Sequence, residues 1–599
     1  MRIGIAQINT IAGAFDATIE RMVAFSHRAA EQNVDVLLFP LAALAGVEPV
    51  PFADAASFMR DLAEAVTTLS EQLACPAIVP VPMDMDANET SYDALLLDGG
   101  EVRPLCILAR AGHASVGAQP ARQDICTFEL AGETLTLAFS YDDLDMLDGN
   151  DQNGTVTLFF SGYPFALDDP SSAMAANLEN ARYVSDAQDI GSWLVGVASL
   201  GGYGEQVFTG SSFVMSPGGK LVSSAPAFEE ALLIADVGYG APLEAAGSLV
   251  PEMFDAPFHL WQALSLGIHD YVTKLGQTDV ALCLDGTLAA NMLVALASDA
   301  VGPLHVHALV GASAGAQAAS CRELARRLHV NVTTASGHPS GFDARDFDEL
   351  ELAQLAREND ALALSSLDKT ALALGTPARS LSCARLCPLG DVYRSDVLDM
   401  AHVRNTISPI FHRVGLTDAD FICVPVEGEE ARVLSDEADI TFVDEILLGY
   451  IEYDRPFFEL VSEAPGEAKL IEALLAVQRR AESWRRSLPP VLAMSTHTLD
   501  EVRFAVGTNW HDTHLDEFEI ELGTFGNLQL PSESMPAAMR KPSPATDLES
   551  TLAMLRDFAE QGGFVPHGQL LEDNPNLKKA VQEGLDLGSL GWMNPFSEN

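Results

Sequence analysis

The stretch Val280-Ala281-Leu282-Cys283-Leu284-Asp285-Gly286-Thr287-Leu288-Ala289-Ala290 joins a short apolar run to a helical pattern that continues to Ala297. The run is apolar on both faces, which is typical of a strand buried inside a parallel sheet. The same order of strand, loop and helix returns in His305–Val310 and Ala316–Leu328. Strands that alternate with helices in this way predict a parallel sheet with right-handed crossovers.

The same alternation of strand and helix extends toward the start of the chain. Ile3–Ile8 and Val36–Phe39 are predicted strands, with a helix between them that Asp16 can cap. Residues 238–257 contain several Gly and Pro residues and are interpreted as a linker. After about residue 500 the pattern weakens. We therefore expect an α/β protein with a first domain over residues 1–240, a second over 258–500, and an extension of unknown role over 501–599.

Acidic residues dominate the charge of the chain. Its 599 residues include 34 Lys and Arg against 85 Asp and Glu, which gives a formal net charge of −51. Such a surface cannot neutralise phosphates, which argues against nucleic acid as a partner, and anionic membranes repel it. No apolar run approaches the roughly eighteen residues of a membrane span. With eight scattered cysteines and no signal-peptide pattern, the sequence predicts a cytoplasmic protein with reduced thiols.

Two groups of segments resemble known families. In the first domain, segments that resemble the nitrilase-like carbon–nitrogen hydrolases are Ala6–Asn9, Phe39-Pro40, Leu95–Val102, Ser161–Phe165, Gly201-Gly202, Val207–Ser212 and Phe228–Glu230. In the second, Ala263–Val272, Asp391–Ser395 and Asn405 resemble the ATP-pyrophosphatase domain of NAD synthetases. This order of domains is specific to the glutamine-dependent NAD(+) synthetases, which the chain resembles over roughly residues 1 to 500. The resemblance implies a nitrilase-type α-β-β-α sandwich followed by a Rossmann-like parallel α/β domain.

The resemblance implies an amidase site in the first domain. In the family, a cysteine thiolate attacks the glutamine amide, a glutamate moves protons, and a lysine stabilises the oxyanion. Here the glutamate position after Phe39-Pro40 is Leu41, and the cysteine position is Tyr141, whose phenol has a reference pKa near ~10 and is a poor nucleophile. The neighbouring Ser140 is expected to point to the other face of the strand. No lysine precedes Lys220, so the oxyanion-stabilising lysine is absent in any alignment.

The resemblance also implies an ATP site in the second domain, where the family uses ATP and magnesium to adenylate deamido-NAD. A Ser-Gly-Gly-x-Asp-Ser loop there holds the phosphates at a helix N-terminus. The aligned run here is Asp285–Ala290, in which Ala289 replaces an acidic residue that would help to hold the metal. A second motif is Asp368-Lys369-Thr370-Ala371, in which Ala371 replaces the other metal-binding carboxylate. Alanine offers no oxygen ligand to magnesium, so no metal site is predicted.

Three family positions remain as candidates for nucleotide binding: Gly286, Lys369 and Arg394, the last of which stands where the family has lysine. The alternative is that Lys369 and Arg394 are ordinary structural or solvated charges. The Gly-rich loop Gly311–Gly315 either approaches a nucleotide or is a plain tight connection. Two cysteines, Cys106 and Cys126, allow two interpretations. Each is either a relocated nucleophile or a buried structural residue.

These substitutions predict a catalytically inactive NAD synthetase homologue, a pseudoenzyme with a scaffold, regulatory or ligand-sensing role in NAD or amide-nitrogen metabolism. The alternative is a residual enzyme that converts deamido-NAD, ATP and an ammonia source to NAD. No cofactor is predicted under the first hypothesis, and ATP with Mg²⁺ is required under the second. Because the resembled synthetases are large homo-oligomers, we expect a homo-oligomer or a mixed assembly with an active paralogue. No nucleic acid and no membrane are expected as partners.

Overall fold

A computed structural model of the chain describes residues 1–41, 43–47, 56–86, 89–106, 126–149, 154–167, 182–243, 255–337, 340–341, 343–375, 382–411, 414–487, 489–499, 506 and 512. The chain forms two compact units. The first comprises Met1–Arg455 and Ala464–His511, and the second comprises Pro456–Glu463 and Asp512–Asn599. The predicted extension 501–599 therefore lies outside the described residues, apart from Val506 and Asp512.

Two six-stranded sheets make up the first part of the first unit. Their strands are β1 Arg2–Gln7, β2 Val36–Leu38, β3 Ala77–Asp86, β4 Glu89–Asp98, β5 Glu101–Pro104, β6 Cys126–Leu130, β7 Glu133–Ala138, β8 Val156–Ser161, β9 Trp193–Ala198, β12 Phe213–Met215, β13 Leu221–Ser224 and β14 Ala231–Asp236. A separate hairpin pairs β10 Leu200–Tyr203 with β11 Gln206–Thr209. The sheet orders are β14-β1-β2-β3-β4-β5 and β13-β12-β9-β8-β7-β6. Each sheet mixes parallel pairs, such as β1 with β2, and antiparallel pairs, such as β1 with β14.

The two sheets and four helices form four layers. The helices are α1 Phe15–Glu31, α2 Ala56–Gln72, α3 Tyr141–Leu147 and α4 Arg182–Ile190. Successive residues of a strand point to opposite faces, so Ile3 and Ile5 of β1 pack against the second sheet, whereas Ala6 packs against α1 and α2. Leu144 of α3 and Tyr183 of α4 cover the outer face of the second sheet. The predicted α-β-β-α sandwich is confirmed.

A four-stranded parallel sheet follows, and it confirms the predicted Rossmann-like part of the fold. Its strands are β15 Val280–Leu284, β16 Val306–Val310, β17 Asn331–Thr334 and β18 Leu362–Ala363, in the order β17-β16-β15-β18. The helices packed around it are α5 Ala256–Lys274, α6 Leu288–Val301, α7 Ala318–Arg327 and α8 Ala344–Glu358. Helix α6 is buried on nearly all sides, because it packs against both α5 and the sheet. Its buried residues are Leu288–Ala290 and Met292–Ser298.

Smaller elements complete the described chain. They are α9 Lys369–Leu374, α10 Arg394–Ile407, the antiparallel pair β19 Ile422–Val424 and β20 Arg432–Leu434, α11 Glu437–Ile451, α12 Phe457–Glu463, α13 Ala468–Arg480 and α14 Glu482–Arg485. Of these, α12 belongs to the second unit, where its first N–H donates to the Asp512 carboxylate. Within the described ranges, none of the helices has the length and apolar character needed to cross a membrane.

A buried polar junction joins the hairpin of the first part to helix α5. The Asp270 carboxylate, 2% exposed as a residue, accepts hydrogen bonds from the Gly202 N–H at 2.6 Å and the Asn9 amide at 2.7 Å. Lys274 donates to the Asn9 side chain and the Gly202 carbonyl, both at 2.8 Å. The two parts of the first unit therefore share a satisfied hydrogen-bond network rather than a bare apolar contact.

Candidate functional site

The parallel sheet has a topological switch point between β15 and β18, because the chain proceeds from β15 to β16 and β17 on one side and returns to β18 on the other. In open α/β sheets, ligands bind outside the carboxyl ends of the strands at such a point. Gly286 lies in the loop after β15, and Lys369 begins the helix after β18. Arg394 contacts Asp368, the residue before that helix. The structure therefore brings all three predicted nucleotide-binding residues to this edge of the sheet.

The loop after β15 is closed by carboxylates of the chain itself. Asp285 accepts hydrogen bonds from the N–H and the hydroxyl of Thr287, at 3.1 and 2.7 Å. Thr287 caps α6 by accepting from the Ala290 N–H at 3.2 Å, and the Leu288 N–H donates to the Asp420 carboxylate at 2.9 Å. Three N–H donors at this helix N-terminus, those of Thr287, Leu288 and Ala290, are thus already satisfied by internal acceptors.

Asp420 is fixed to this loop from the opposite side. The Thr417 N–H donates to the second oxygen of Asp420 at 2.7 Å, and the Thr417 hydroxyl donates to the Gly286 carbonyl at 2.8 Å. Gly286 has φ +91°, and a Cβ there would lie 2.9 Å from the Cβ of Gln317. The positive φ and the close approach of Gln317 both require glycine at position 286, whether or not a nucleotide binds there. Burial raises the pKa of Asp420, although Arg394 opposes the shift.

Lys369 is buried and fully paired. Its ammonium lies 2.8 Å from an Asp391 oxygen and 2.7 Å from a Glu452 oxygen, and all three side chains are at most 1% exposed. It also donates to the Ser495 hydroxyl and the His497 carbonyl, both at 2.9 Å. Burial alone would lower the pKa of Lys369, but the two carboxylates raise it above its ordinary value. The lysine therefore neutralises internal carboxylates in this structure.

Arg394 is buried and paired as well. Its guanidinium forms a two-pronged contact with Asp368, with Nε at 2.8 Å and Nη2 at 3.2 Å from the two oxygens. Nη1 donates to the Asp420 carbonyl at 2.6 Å. Burial disfavours the charged form, but Asp368 raises the pKa of Arg394 above its ordinary value. Arg394 therefore links the two loops of the switch point through contacts within the chain.

The neighbouring Gly-rich loop is also held by an internal carboxylate. Asp348 of α8 accepts from the Ala312 N–H at 2.7 Å and from the Ser313 N–H at 3.0 Å. The Ser313 hydroxyl donates to the same carboxylate at 2.5 Å. Of the two interpretations of Gly311–Gly315, these contacts favour the plain connection, because its N–H groups already bind an anion.

The two substituted metal positions are buried alanines. Ala289 is 3% exposed and Ala371 is 2% exposed, and the Ala371 N–H donates to Asp368 at 2.7 Å. Within the ranges that the structure describes, no three His, Cys, Asp or Glu side chains are grouped so that they could hold a metal ion. The residues present therefore do not fit the magnesium that the resemblance implies.

In the first part, the substituted amidase positions lie in an apolar and aromatic environment. Leu41 is 3% exposed and belongs to the core between the two sheets. The Tyr141 ring stacks on Tyr163 with centroids 4.1 Å apart, and its hydroxyl lies 3.1 Å from the hydroxyl of Tyr183. The Arg182 guanidinium lies 4.4 Å above the Tyr141 ring. These side chains fill the space around position 141.

The expectation for Ser140 was wrong. Ser140 does not continue the strand, which ends at Ala138, but is the N-cap of α3. Its side chain accepts from the Asp143 N–H, and the Asp143 carboxylate accepts from the Ser140 N–H, so the two form a capping box. The acidic residues after Tyr141 thus lie in the first turn of a helix. The Ser-x-x-Asp pattern from Ser140 to Asp143 is the sequence signal that indicates this helix start.

The two cysteines considered as replacements are buried. Cys106 and Cys126 both belong to the core between the sheets, and the neighbouring Cys126 together with burial raises the pKa of the Cys106 thiol. A raised pKa disfavours the thiolate that acts as a nucleophile. Residues 107–111, where the family lysine would lie, are outside the described residues.

Sequence reasoning missed Asp420 and Glu452, which lie 132 residues from Leu288 and 83 residues from Lys369. No local pattern connects partners at such separations. The segment Thr417 to Asp420 carries a turn-forming Thr-x-x-Asp pattern, but this predicts a local turn and not a contact with α6.

Two carboxyl groups near the switch point predict an unusual pH dependence. Burial raises the pKa of Asp396 to about 7 and that of Asp444 to about 6. The folded chain therefore binds these protons more tightly than the unfolded chain, in which an Asp has a pKa of about 3.9. The stability that these groups contribute is lost as pH rises from about 4 to about 7. We expect a higher melting temperature at about pH 5.5 than at about pH 8.

Thermal unfolding at constant ionic strength measures this effect. Asp396→Asn is expected to flatten the pH dependence, whereas Glu430→Gln, at an exposed position between β19 and β20, is expected to retain it. A melting temperature that falls on acidification, or an Asp396→Asn variant with the slope of the parent, would contradict the assignment.

The comparisons with known proteins agree with the fold. The chain is 24% identical over 578 residues to the glutamine-dependent NAD(+) synthetase of Rhodobacter capsulatus, covering 85% of this chain and 99% of that protein. The ADP complex of the glutamine-dependent NAD+ synthetase from Acinetobacter baumannii superposes with a TM-score of 0.58 and 20% identity, over 85% of this chain and 99% of that one. The synthetase from Cytophaga hutchinsonii superposes with a TM-score of 0.64 and 13% identity, over 85% and 98%. No protein-family model matches the chain.

The fold defines the class of protein: a nitrilase-type sandwich joined to a Rossmann-like parallel α/β domain. Within that class, the chain is similar in sequence to glutamine-dependent NAD(+) synthetases over 85% of its length.

Proposed function

We propose that this chain is a catalytically inactive member of the family, with a scaffold, regulatory or ligand-sensing role in NAD or amide-nitrogen metabolism. One observation carries the proposal: the chain's own carboxylates occupy the N–H donors at the edge of the sheet where a nucleotide would bind. Asp420 takes the Leu288 N–H, Asp285 takes the Thr287 N–H, and Asp348 takes those of Ala312 and Ser313. An added polyphosphate would have to displace these anions.

The amidase half supports the same proposal. Leu41 and Tyr141 can neither move the proton nor supply the thiolate that amide hydrolysis requires. When catalytic groups cooperate, the loss of one can cost about as much as the loss of all, on the order of a million-fold. Loss at both Leu41 and Tyr141 therefore removes glutamine as an ammonia source.

The role in the cell is proposed to depend on assembly. An intact fold that lacks its reactive groups can still present the surfaces of its relatives, so we propose a homo-oligomer or a mixed oligomer with an active paralogue in the cytoplasm. Co-purification from native extract tests this part. Recovery of a free monomer alone would contradict it.

The decisive test is NAD formation by the purified full-length chain. It would be supplied with deamido-NAD, ATP and Mg²⁺, with glutamine in one reaction and ammonium in the other, and with the Rhodobacter capsulatus enzyme as positive control. We expect no NAD above background in either reaction and no thermal shift with ATP and Mg²⁺. NAD from ammonium alone would show a working second site beside an inactive amidase. NAD in both reactions would overturn the proposal.

A further inference from the structure

A cavity of about 200 Å³ lies in the first unit, beside the beginning of α10 and along α11. Five carboxylates line it: Asp391, Asp396, Asp444, Glu445 and Glu452. Apolar side chains form much of the remaining wall, namely Leu167, Leu260, Val392, Leu448 and Met494. The cavity is smaller than the roughly 300–1,000 Å³ of pockets for drug-sized ligands, so it fits a small molecule with an apolar portion.

The negative charges of this cavity are incompletely neutralised from within. Lys369 pairs with Asp391 and Glu452. Asp444 accepts hydrogen bonds from the Thr370 hydroxyl and the Ser395 N–H, and within the described residues no cation forms an ion pair with it. Asp396 makes no hydrogen bond or ion pair with any residue in the described ranges, and its half-buried carboxyl lines the cavity. Lys369 therefore pairs with two of the five carboxylates, and Arg394 acts on Asp444 only through longer-range charge attraction.

A buried hydroxyl gives a second, independent indication of a ligand. Tyr393 lines the cavity and is 6% exposed; its phenol oxygen meets no partner at full hydrogen-bond geometry within the described chain, although the Glu452 carboxylate lies near enough to interact with it and leaves its lone pairs open. Burial and the nearby charge of Glu452 hold the pKa of this phenol well above its usual value, so it remains neutral. A buried polar atom without a partner costs free energy unless a ligand or water satisfies it.

We propose that this cavity binds a small organic cation, a short alkylammonium, whose charged group lies between the Asp396 carboxylate and the Tyr393 hydroxyl. The carboxylate balances the charge, the phenol oxygen accepts one ammonium N–H, and the apolar wall covers the alkyl chain. A metal ion fits less well, because among the described residues no three ligand side chains converge. The site uses none of the substituted family positions, so it does not depend on the loss of catalysis proposed above.

The protonation of Asp396 agrees with this assignment. Burial and the repulsion from Asp444, Asp399 and Glu452 raise the pKa of Asp396 to about 7, although the charge of Lys369 opposes the shift. An ammonium group would take the place of that proton. Binding is therefore expected to strengthen as pH rises through about 7.

The test uses the full-length chain with two defined probes, n-butylammonium and 1,4-diaminobutane, in titration calorimetry at about pH 8 and fixed ionic strength. We expect saturable binding of one probe molecule per chain. Asp396→Asn is expected to weaken the affinity by about 10- to 100-fold, the loss of one hydrogen bond to a charged group. Tyr393→Phe, which keeps the ring and removes the hydroxyl, is expected to weaken it by up to about tenfold.

Glu430→Gln is the control, because it removes one negative charge from an exposed position of the first unit that does not line the cavity. Its affinity for both probes is expected to equal that of the parent. Equal weakening in Asp396→Asn and Glu430→Gln, or heats that do not saturate, would indicate general attraction to an acidic surface and overturn the proposal. A cooperative thermal unfolding transition checks that each variant is folded. The calorimetric binding result does not depend on the outcome of the NAD assay.

Discussion

Replacing Lys369 with methionine is expected to lower the free energy of unfolding of the first unit by about 3–5 kcal/mol. The reason is that Asp391 and Glu452 would remain buried without their cation, and an uncompensated buried charge costs more than the original pair contributes. The Ser495 hydroxyl and the His497 carbonyl would lose a donor in addition. Denaturant titration, followed by a probe of the first unit, measures the change.

Lys469→Met provides the control for this prediction, because that ammonium pairs with Glu429 on the surface and is expected to contribute little. Glu452→Gln in the Lys369→Met background should recover part of the loss, since it removes one unpaired charge while keeping the side-chain shape. If Lys369→Met lowered the free energy of unfolding no more than the surface variant, the prediction would be wrong, and Lys369 would not be needed to neutralise Asp391 and Glu452.

Arg394→Lys is expected to destabilise the first unit by about 1.5–3 kcal/mol, even though lysine is the residue of the family at this position. The guanidinium makes three contacts, two with Asp368 and one with the Asp420 carbonyl, and an ammonium cannot reproduce this planar geometry. Arg394→Met removes the charge as well and is expected to cost about 3–5 kcal/mol. Comparison of the free energies of unfolding of Arg394→Lys and Arg394→Met separates the effect of lost geometry from the effect of lost charge.

Arg432→Lys serves as the control for Arg394, since Arg432 pairs with Glu467 at the surface. Little change in its denaturation midpoint is expected, because solvent screens such pairs. Equal stability of the parent and Arg394→Lys would mean that the fork-shaped contact has no energetic role, and that a lysine serves this chain as it serves its relatives.

Local patterns predicted the fold well. The run Val280–Leu284 is the first strand of the four-stranded parallel sheet, as expected, because an apolar segment bounded by a turn has few alternatives. The boundaries of irregular elements were harder. The predicted helix Ala316–Leu328 is divided into a 3₁₀ segment, Ala312–Gln317, and α7, since Gly315 adopts a non-helical conformation that a helical pattern does not reveal. Ser140 was misplaced because the strand ends before it and a capping box begins.

The candidate site was predicted in its residues but not in its partners. The sequence predicted Gly286, Lys369 and Arg394 as candidate nucleotide-binding residues, with the alternative that the two cations are structural. It did not identify Asp420 or Glu452, because contacts across such long stretches of chain depend on how the elements pack. The side chains around Tyr141 were missed for the same reason, since Tyr183 reaches it from 42 residues away.

The carboxylates at the switch point limit which side chains the neighbouring positions can accept. An acidic residue at position 289 would lie next to the Leu288–Asp420 contact, and one at position 371 would lie beside Asp368, both in buried surroundings. Each substitution would add a negative charge where carboxylates are already concentrated, so each is expected to lower the free energy of unfolding. The two alanines therefore suit the charge distribution of this edge of the sheet.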